Sequence, residues 1–227
     1  MKNYAGTGDG GKIDLGCIIT VQTDFIPKLL NGYKAAAGGV AFNVREDTSI
    51  PLVKDLLSGC YDVVFCAKGN EDPDLAYVPV LTQKVVVAMS SDCPLVEKEF
   101  VTPTDLLEQH LITYVDTIPL GRAVRRMLDE CGIKNVEYSY LDESILAGFA
   151  ANGVEAAVML DTFLLRSVDD VVVRPFYPSA LDRRSCHHRV YMAYSTKTYP
   201  SYRVHHFIQH VIETKALKPD PNACYID

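Results

Sequence analysis

The stretch VAFNVREDTSIPLVKDLLSGCYDVVFCA, residues 40–67, carries the order of elements on which the fold depends. Val40 to Arg45 alternates apolar and polar side chains, which is the period of a strand. Thr48 and Ser49 are residue types that begin helices, and an apolar stripe follows them. The largely apolar run from Asp62 to Ala67 predicts a buried second strand. A strand, a helix and a strand in this order predict a parallel pair of strands covered by the helix.

The elements before and after this stretch repeat its order. Apolar runs that predict strands alternate with segments whose apolar residues recur at helical spacing. Two such α/β units result, each with a parallel sheet covered by helices. The further strands are predicted at 13–20, 111–115, 136–141 and 156–160, and the further helices at 24–37, 119–131 and 142–152.

Two longer extended stretches, 84–90 and 189–195, lie between the units, and a last helix is predicted over 200–214. A chain that leaves the first unit, builds the second and returns explains this pattern. The fold class predicted is therefore α/β, with two Rossmann-like lobes joined by two crossover strands in a clamp. The predicted organisation is a flexible leader at 1–12, lobe I at 13–89 plus 193–215, lobe II at 90–192 and a disordered tail at 216–227.

The charge of the chain argues against direct contact with nucleic acid. The 227 residues carry a formal net charge of −7, and an acidic surface repels phosphate backbones. The densest basic stretch, residues 183–189, is interpreted as an exposed loop that enters a strand. Residues 1–11 lack the apolar core of a signal peptide and no apolar run has membrane-spanning length, so a cytoplasmic location without membrane contact is predicted.

Seven cysteines are spread widely along the chain, and no two are spaced as CxxC. An odd number at wide spacing, mostly in apolar runs, favours free thiols in a reducing compartment over disulfides or a zinc site. His187 and His188 are neighbours on a predicted strand and point to opposite faces, while His206 and His210 are interpreted as solvated. No metal site and no cofactor are predicted.

Motifs of common catalytic sites are absent from the sequence. It contains no G-x-S-x-G, no H-E-x-x-H and no Walker loop, and the glycines of residues 6–11 precede the first strand instead of following it. An enzyme is therefore not predicted.

Polar residues precede the predicted helices, where parallel strands end. Helix N-termini present unpaired N–H groups and a partial positive charge, so two such sheet edges that face each other across a cleft would make a good cradle for a carboxylate. For each of these residues, helix capping is the competing interpretation, and for Asp142 it is the favoured one. The candidate ligand-binding residues are Thr20, Gln22, Thr23, Thr48, Ser49, Tyr114, Asp116, Thr117, Asp142 and Ser144.

Several segments, taken in order, resemble the effector-binding (substrate-binding) domain of LysR-type transcriptional regulators over about residues 13–214. The resemblance is carried by IDLG (13–16), FIPKLL (25–30), VREDTS…LVKDLLSGCYDVVFC (44–66), VPVLTQKVVVAMSSDCPL (78–95), TPTDLLEQHLITY (102–114) and LDESILAGFAANGVEAAVML (141–160). It implies a clamp of the type 2 periplasmic-binding-protein kind, with ligand contacts best supported at Thr20, Thr48, Ser49 and Thr117. Cys93 stands where the family usually has His, and Asp161 where it usually has Pro.

The resemblance implies the sensing domain of a bacterial regulator, without the winged helix-turn-helix. Such a domain binds a small-molecule effector between its lobes, with an organic acid as one candidate. It pairs as a homodimer, through the helices at 24–37 and 119–131, and a tetramer stays open for the full-length protein. A solute-binding protein of a transporter shares the same clamp and remains the alternative. An upstream helix-turn-helix in the reading frame would favour the first hypothesis, and an upstream secretory signal the second.

Overall fold

The computed structural model describes residues 11–69, 71–179, 181, 184–218, 220 and 223–226. Seven helices and ten strands lie in these ranges, with two 3₁₀ turns at Pro94–Glu97 and Phe163–Ser167. The strands are β1 Lys12–Cys17, β2 Ala41–Glu46, β3 Val63–Cys66, β4 Leu75–Ser90, β5 Leu111–Tyr114, β6 Val136–Tyr140, β7 Ala156–Leu160, β8 Val171–Pro175, β9 Cys186–Ser195 and β10 Cys224–Tyr225. The helices are α1 Ile19–Gln22, α2 Phe25–Ala37, α3 Ser49–Leu57, α4 Pro103–Leu106, α5 Pro119–Glu130, α6 Glu143–Ala151 and α7 Tyr202–Lys215.

The first lobe is built on the strand order β2-β1-β3-β9-β4. β1 pairs in parallel with β2 and β3, whereas β9 runs antiparallel to β3 and β4. Helices α2, α3 and α7 cover this sheet because each turns an apolar stripe toward it. The core that results includes Leu15, Leu29, Leu52, Phe65 and Phe207.

The second lobe is built on β4, β7, β5 and β6, with β8 on the other side of β4. β5 is parallel to both β6 and β7, and β7 is antiparallel to β4. Helix α5 lies very close to the end of β5, since a Cβ built on Gly121 would stand 1.9 Å from the Val115 carbonyl oxygen. Only glycine fits at this contact.

The strand β4 is shared by the two lobes. Its residues up to Lys84 pair with β9, and its residues from Val85 onward pair with β7 and β8. On β4, Val80 belongs to the core of the first lobe and Val85 to the core of the second. On β9, Cys186 belongs to the core of the second lobe and Val190 to the core of the first. Two α/β lobes joined by two crossover strands are therefore confirmed. The predicted lobe limits at 89/90 and 192/193 stay a prediction. On both crossover strands, the change from the core of one lobe to the core of the other falls a few residues before these limits.

Three expectations at the ends of elements need correction. The first strand ends at Cys17 rather than at Thr20, because the Ile18 N–H donates to the Phe65 carbonyl and the chain then turns into α1. Lys12, predicted in the leader, is the first residue of β1, and residues 1–10 of that leader lie outside the described residues. The described part of the predicted disordered tail contains β10, which pairs with β9.

No helix in the described ranges has both the length and the apolar character needed to cross a lipid bilayer.

Candidate functional site

A cavity of about 390 Å³ lies between the two lobes. The turn into α1, the β2–α3 turn and the end of β3 form one wall, and the starts of α5 and α6 form the other. β9 contributes one residue where it crosses between the lobes. The lining residues are Ile18, Ile19, Thr20, Glu46, Asp47, Thr48, Ser49, Ala67, Ile118, Pro119, Leu120, Leu141, Asp142 and His188.

Hydroxyl groups supply part of the polar lining of the first wall. The Thr20 hydroxyl oxygen is buried and has no hydrogen-bond partner within the described chain. Ser49, 6% exposed, accepts a hydrogen bond from the Ala67 N–H at 3.1 Å, which leaves its own proton to donate. Such a pair of donors suits a carbonyl, carboxylate or hydroxyl oxygen of a ligand.

Two helix N-termini open onto the cavity from opposite walls. For α3 and α5, no side chain of the described residues caps the first turn, although Thr48 stands at the N-cap of α3. The Thr48 N–H instead donates to Asp47 Oδ1 at 2.6 Å. The unpaired N–H groups and positive dipole ends of the two helices therefore favour a negatively polarised group between them.

The start of α6 is different, because its first turn is capped. Asp142 Oδ1 accepts hydrogen bonds from the N–H groups of Ser144, at 2.8 Å, and Ile145, at 3.2 Å. Asp142 thus both caps the helix and lines the cavity, so the capping interpretation does not exclude its position in the cavity wall.

A buried polar network lies behind this wall. Tyr114 OH donates to Glu143 Oε1 at 2.7 Å and accepts from the Leu160 N–H at 3.0 Å. Burial raises the pKa of Glu143 from 4.5 to about 7, and the hydrogen bond from Tyr114 opposes part of that rise. The pKa of Tyr114 is itself raised by burial and by Glu143.

The charge of the lining is acidic. Glu46, Asp47 and Asp142 contribute carboxylates, and no Lys or Arg occurs among the lining residues that the structure describes. Among the described lining residues, positive polarity therefore comes from the uncapped starts of α3 and α5. This lining suits a ligand with little negative charge.

Four of the ten predicted site residues line the cavity, namely Thr20, Thr48, Ser49 and Asp142. Tyr114 is fully buried in the core of the second lobe, and Asp116 pairs with Arg125. Thr117 is exposed, and its carbonyl accepts from Arg122 Nη1 at 2.8 Å. Gln22 and Thr23 lie at the end of α1, and Ser144 is exposed on α6. None of these six lines the cavity, and their role as ligand contacts stays a prediction.

His188 was missed as a site residue. It is 2% exposed and belongs to the cavity lining, since its position in β9 directs it inward while His187 faces the other side. Two adjacent histidines in a crossover strand point to opposite faces, so the sequence indicated that one of them could face the cleft. It could not tell which one. The apolar lining residues Ile118 and Leu120 were missed because the prediction selected only polar residues at the helix starts.

Thr20 also borders a smaller cavity, of about 200 Å³, that includes Gln83 of β4. Gln83 Nε2 donates to the Thr20 carbonyl at 3.0 Å, so the crossover strand holds the turn that carries Thr20. The position of Thr20 therefore depends on the strand that joins the lobes.

One group of residues in the described ranges has the spacing of metal ligands, and it lies away from the cavity. The ligand atoms of His110, Glu137 and Glu155 all fall within 4.8 Å of one another. His110 is exposed, and its Nδ1 lies 2.6 Å from Glu155 Oε1. Exposed acidic groups often lie near one another without a metal ion, so no metal role is assigned to this group.

The two lobes, their shared strands and the interlobe cavity define a ligand-binding domain of the type 2 periplasmic-binding-protein-like fold. The sequence matches the family described as the LysR substrate binding domain over residues 6–216, and the chain belongs to that family. The family predicted from the resemblance is confirmed.

Solved structures agree on the fold. The effector binding domain of QuiR, in complex with shikimate, has a TM-score of 0.81 at 19% identity and covers 91% of this chain and 98% of that one. HinK, a LysR family transcriptional regulator from Pseudomonas aeruginosa, has a TM-score of 0.76 at 19% identity, over 90% of this chain and 70% of that one.

Two curated relatives are named as regulators. The uncharacterized HTH-type transcriptional regulator YybE of Bacillus subtilis (strain 168) is 21% identical over 154 residues, which are 67% of this chain and 53% of the relative. The HTH-type transcriptional regulator TtuA of Agrobacterium vitis is 30% identical over 99 residues, 43% of this chain and 33% of the relative. The matches thus span about half of the first relative and a third of the second.

Proposed function

We propose that this chain is the sensing domain of a bacterial transcription regulator and that it binds a small metabolite in the cavity between its lobes. One observation carries the proposal. The cavity joins both lobes and contains a buried, unpartnered Thr20 hydroxyl together with the uncapped starts of α3 and α5. The regulator names of the relatives support it, while a solute-binding protein, the alternative with the same clamp, has no such support.

The lining limits the class of ligand. A volume of about 390 Å³ suits a small molecule. The apolar walls favour a carbon skeleton with one polar end at Thr20 and Ser49. The three carboxylates disfavour a ligand with several negative charges, because like charges repel in a partly desolvated site. A singly charged or uncharged hydroxylated organic acid fits best, with its oxygen directed at the start of α3.

The regulatory output follows from the two lobes. A ligand that contacts both lobes stabilises one relative orientation of them and shifts the population toward it. In a homodimer that pairs through α2 and α5, such a shift changes the geometry of the pair and of the DNA-binding arms that it carries. The domain itself makes no nucleic-acid contact in this proposal, and we place it in the cytoplasm. We propose no catalytic role for it, since the family and the named relatives are those of regulators.

The test is a thermal-shift screen of the purified chain against singly charged hydroxy acids, dicarboxylates, sugars and amino acids. We expect a saturable rise in Tm with a member of the first class. The rise should shrink in Thr20→Ala and Ser49→Ala and persist in Thr214→Ala, a control on the exposed face of α7. Hits that are equal in all variants would place the ligand elsewhere, and a response to dicarboxylates alone would overturn the ligand class.

A further inference from the structure

The last strand, β10, places a second cysteine beside β9. Cys224 is the direct partner of Cys186 in a parallel ladder, and Tyr225 is the partner of His187. The two sulfur atoms are 2.8 Å apart, although both cysteines are free thiols. Cys186 is 1% exposed, and Cys224 is half-buried.

The backbone at this pair suits a covalent link. Neighbouring strands lie about 4.8 Å apart, within the Cα separation of about 4.4–6.8 Å that disulfides span. The sulfur atoms are already 2.8 Å apart, and a disulfide requires them to approach to about 2.05 Å.

We propose that Cys186 and Cys224 form a reversible disulfide that fastens the C-terminal strand β10 to the crossover strand β9. The bond forms by exchange with a small disulfide such as oxidised glutathione. Neither cysteine has a role in the ligand cavity, and neither stands in a CxxC motif.

The chemistry has two steps that balance. The Cys224 thiolate attacks one sulfur of the small disulfide, which gives a mixed disulfide on Cys224 and releases one small thiolate. The Cys186 sulfur, on loss of its proton, then attacks the Cys224 sulfur of the mixed disulfide and releases the second small thiol. Two protein thiols are oxidised, and one small disulfide is reduced to two thiols.

Access to the pair favours this order. A cavity of about 430 Å³ borders both cysteines and Cys131, and it gives a small disulfide a route to Cys224. Burial raises the pKa of the Cys186 thiol, so that this sulfur stays protonated and acts second. Cys131 borders the same cavity, but Cys186 is the cysteine whose sulfur lies 2.8 Å from that of Cys224, so proximity favours Cys186 as the thiol that resolves the mixed disulfide.

The position of the bond links it to the sensing site. The Ile226 N–H donates to the His187 carbonyl at 3.0 Å, so the strands remain paired up to the residue next to His188. His188 lines the ligand cavity. A disulfide at Cys186 therefore restrains β9 two positions from that lining. An effect on ligand affinity rests on the proposed function above, whereas the disulfide itself does not.

The experiment treats the whole purified chain with excess oxidised glutathione, denatures it, alkylates the remaining thiols and measures the intact mass. We expect the thiols of Cys186 and Cys224 to escape alkylation with no glutathione attached to either, and a digest to yield one peptide pair that joins 186 to 224. Reduction with dithiothreitol should restore all seven thiols of the chain. Cys224→Ser should abolish the link, and Cys60→Ser, which removes an exposed thiol, should leave it intact.

Other outcomes overturn the proposal. A stable glutathione adduct at Cys224, a link from 131 to 224, or full alkylation after oxidation would each do so. The intact mass and the linked peptide pair are both measured on the wild-type chain. The test therefore does not depend on whether a variant folds. It is also independent of any ligand, so a failed metabolite screen leaves this test unaffected.

Discussion

The phenolic oxygen of Tyr114 donates a 2.7 Å hydrogen bond to the side chain of Glu143, and both residues are sealed inside the second lobe. The second carboxyl oxygen of Glu143 has no hydrogen-bond partner in the described chain. Glu143 directly follows Asp142, which lines the ligand cavity. A carboxyl that exchanges its proton near neutral pH therefore stands one residue behind the candidate site.

The first prediction concerns stability against pH. The folded pKa of Glu143, about 7, exceeds its ordinary value of 4.5, so between these pH values the folded state holds more protons than the unfolded state. The contribution is present below pH 4.5 and is lost as pH rises through 7. The shift corresponds to about 3 kcal/mol. Urea unfolding at pH 5 and pH 8 should show a loss of this order, smaller in Glu143→Gln. The exposed control Glu213→Gln on α7 should behave as wild type, and an unchanged pH slope in Glu143→Gln would contradict the assignment.

Removal of the phenol should raise the pKa of Glu143 further. Tyr114→Phe deletes the hydrogen bond that opposes the rise and leaves the Leu160 N–H without its acceptor. An unsatisfied buried N–H costs roughly 1–3 kcal/mol, so the free energy of unfolding should fall by that amount at pH 5. NMR titration of the Glu143 carboxyl carbon in both proteins measures the pKa. A lower pKa in Tyr114→Phe would show that the phenol does not stabilise the carboxylate.

A pair of glycine substitutions tests how closely α5 approaches β5. Gly121→Ala puts a methyl group 1.9 Å from the Val115 carbonyl oxygen, and backbone cannot yield as a side chain can. We expect a loss of several kcal/mol, at or beyond the roughly 1–3 kcal/mol that is typical of overpacking. Gly148→Ala, in α6 with open space around its Cβ, should be neutral or stabilise the protein by up to about 1 kcal/mol. Equal Tm values for the two variants would show that the contact is not tight.

The prediction from sequence included Thr20, Thr48 and Ser49 of the first wall and missed most of the lining of the second, for a physical reason. Thr48 and Ser49 stand at a helix start in a regular strand–helix–strand unit, so their place at the sheet edge follows from local pattern. Thr117 has the same pattern, but the helix begins two residues later at Pro119 and the turn leaves Thr117 exposed. Tyr114 ends a strand with both faces covered, where an apolar run cannot tell core from cleft.

The pairing of Cys224 with Cys186 was beyond any local pattern. The predicted disordered tail has neither period nor apolar run, and its strand exists only because an edge of β9 is available to it. Contacts of this kind depend on the assembled fold, as does the choice between His187 and His188. By contrast, the two lobes, their order and the crossover strands could be predicted, because the apolar residues of each strand or helix recur at the spacing typical of that element.

Removal of the Thr20 hydroxyl should weaken ligand binding without lowering the stability of the free protein. Thr20→Val keeps the shape of the side chain and removes an oxygen that is buried without a partner in the described structure, so the free protein should be unchanged or more stable. A ligand that uses this hydroxyl loses one hydrogen bond, worth about 0.5–1.5 kcal/mol, and its Kd should rise roughly 2- to 12-fold. Thr20→Ser retains the hydroxyl and should bind more tightly than Thr20→Val. Calorimetry with a ligand from the screen, beside thermal unfolding of the free proteins, measures both quantities. If Thr20→Val bound the ligand as wild type does, Thr20 would be a wall of the cavity and not a contact.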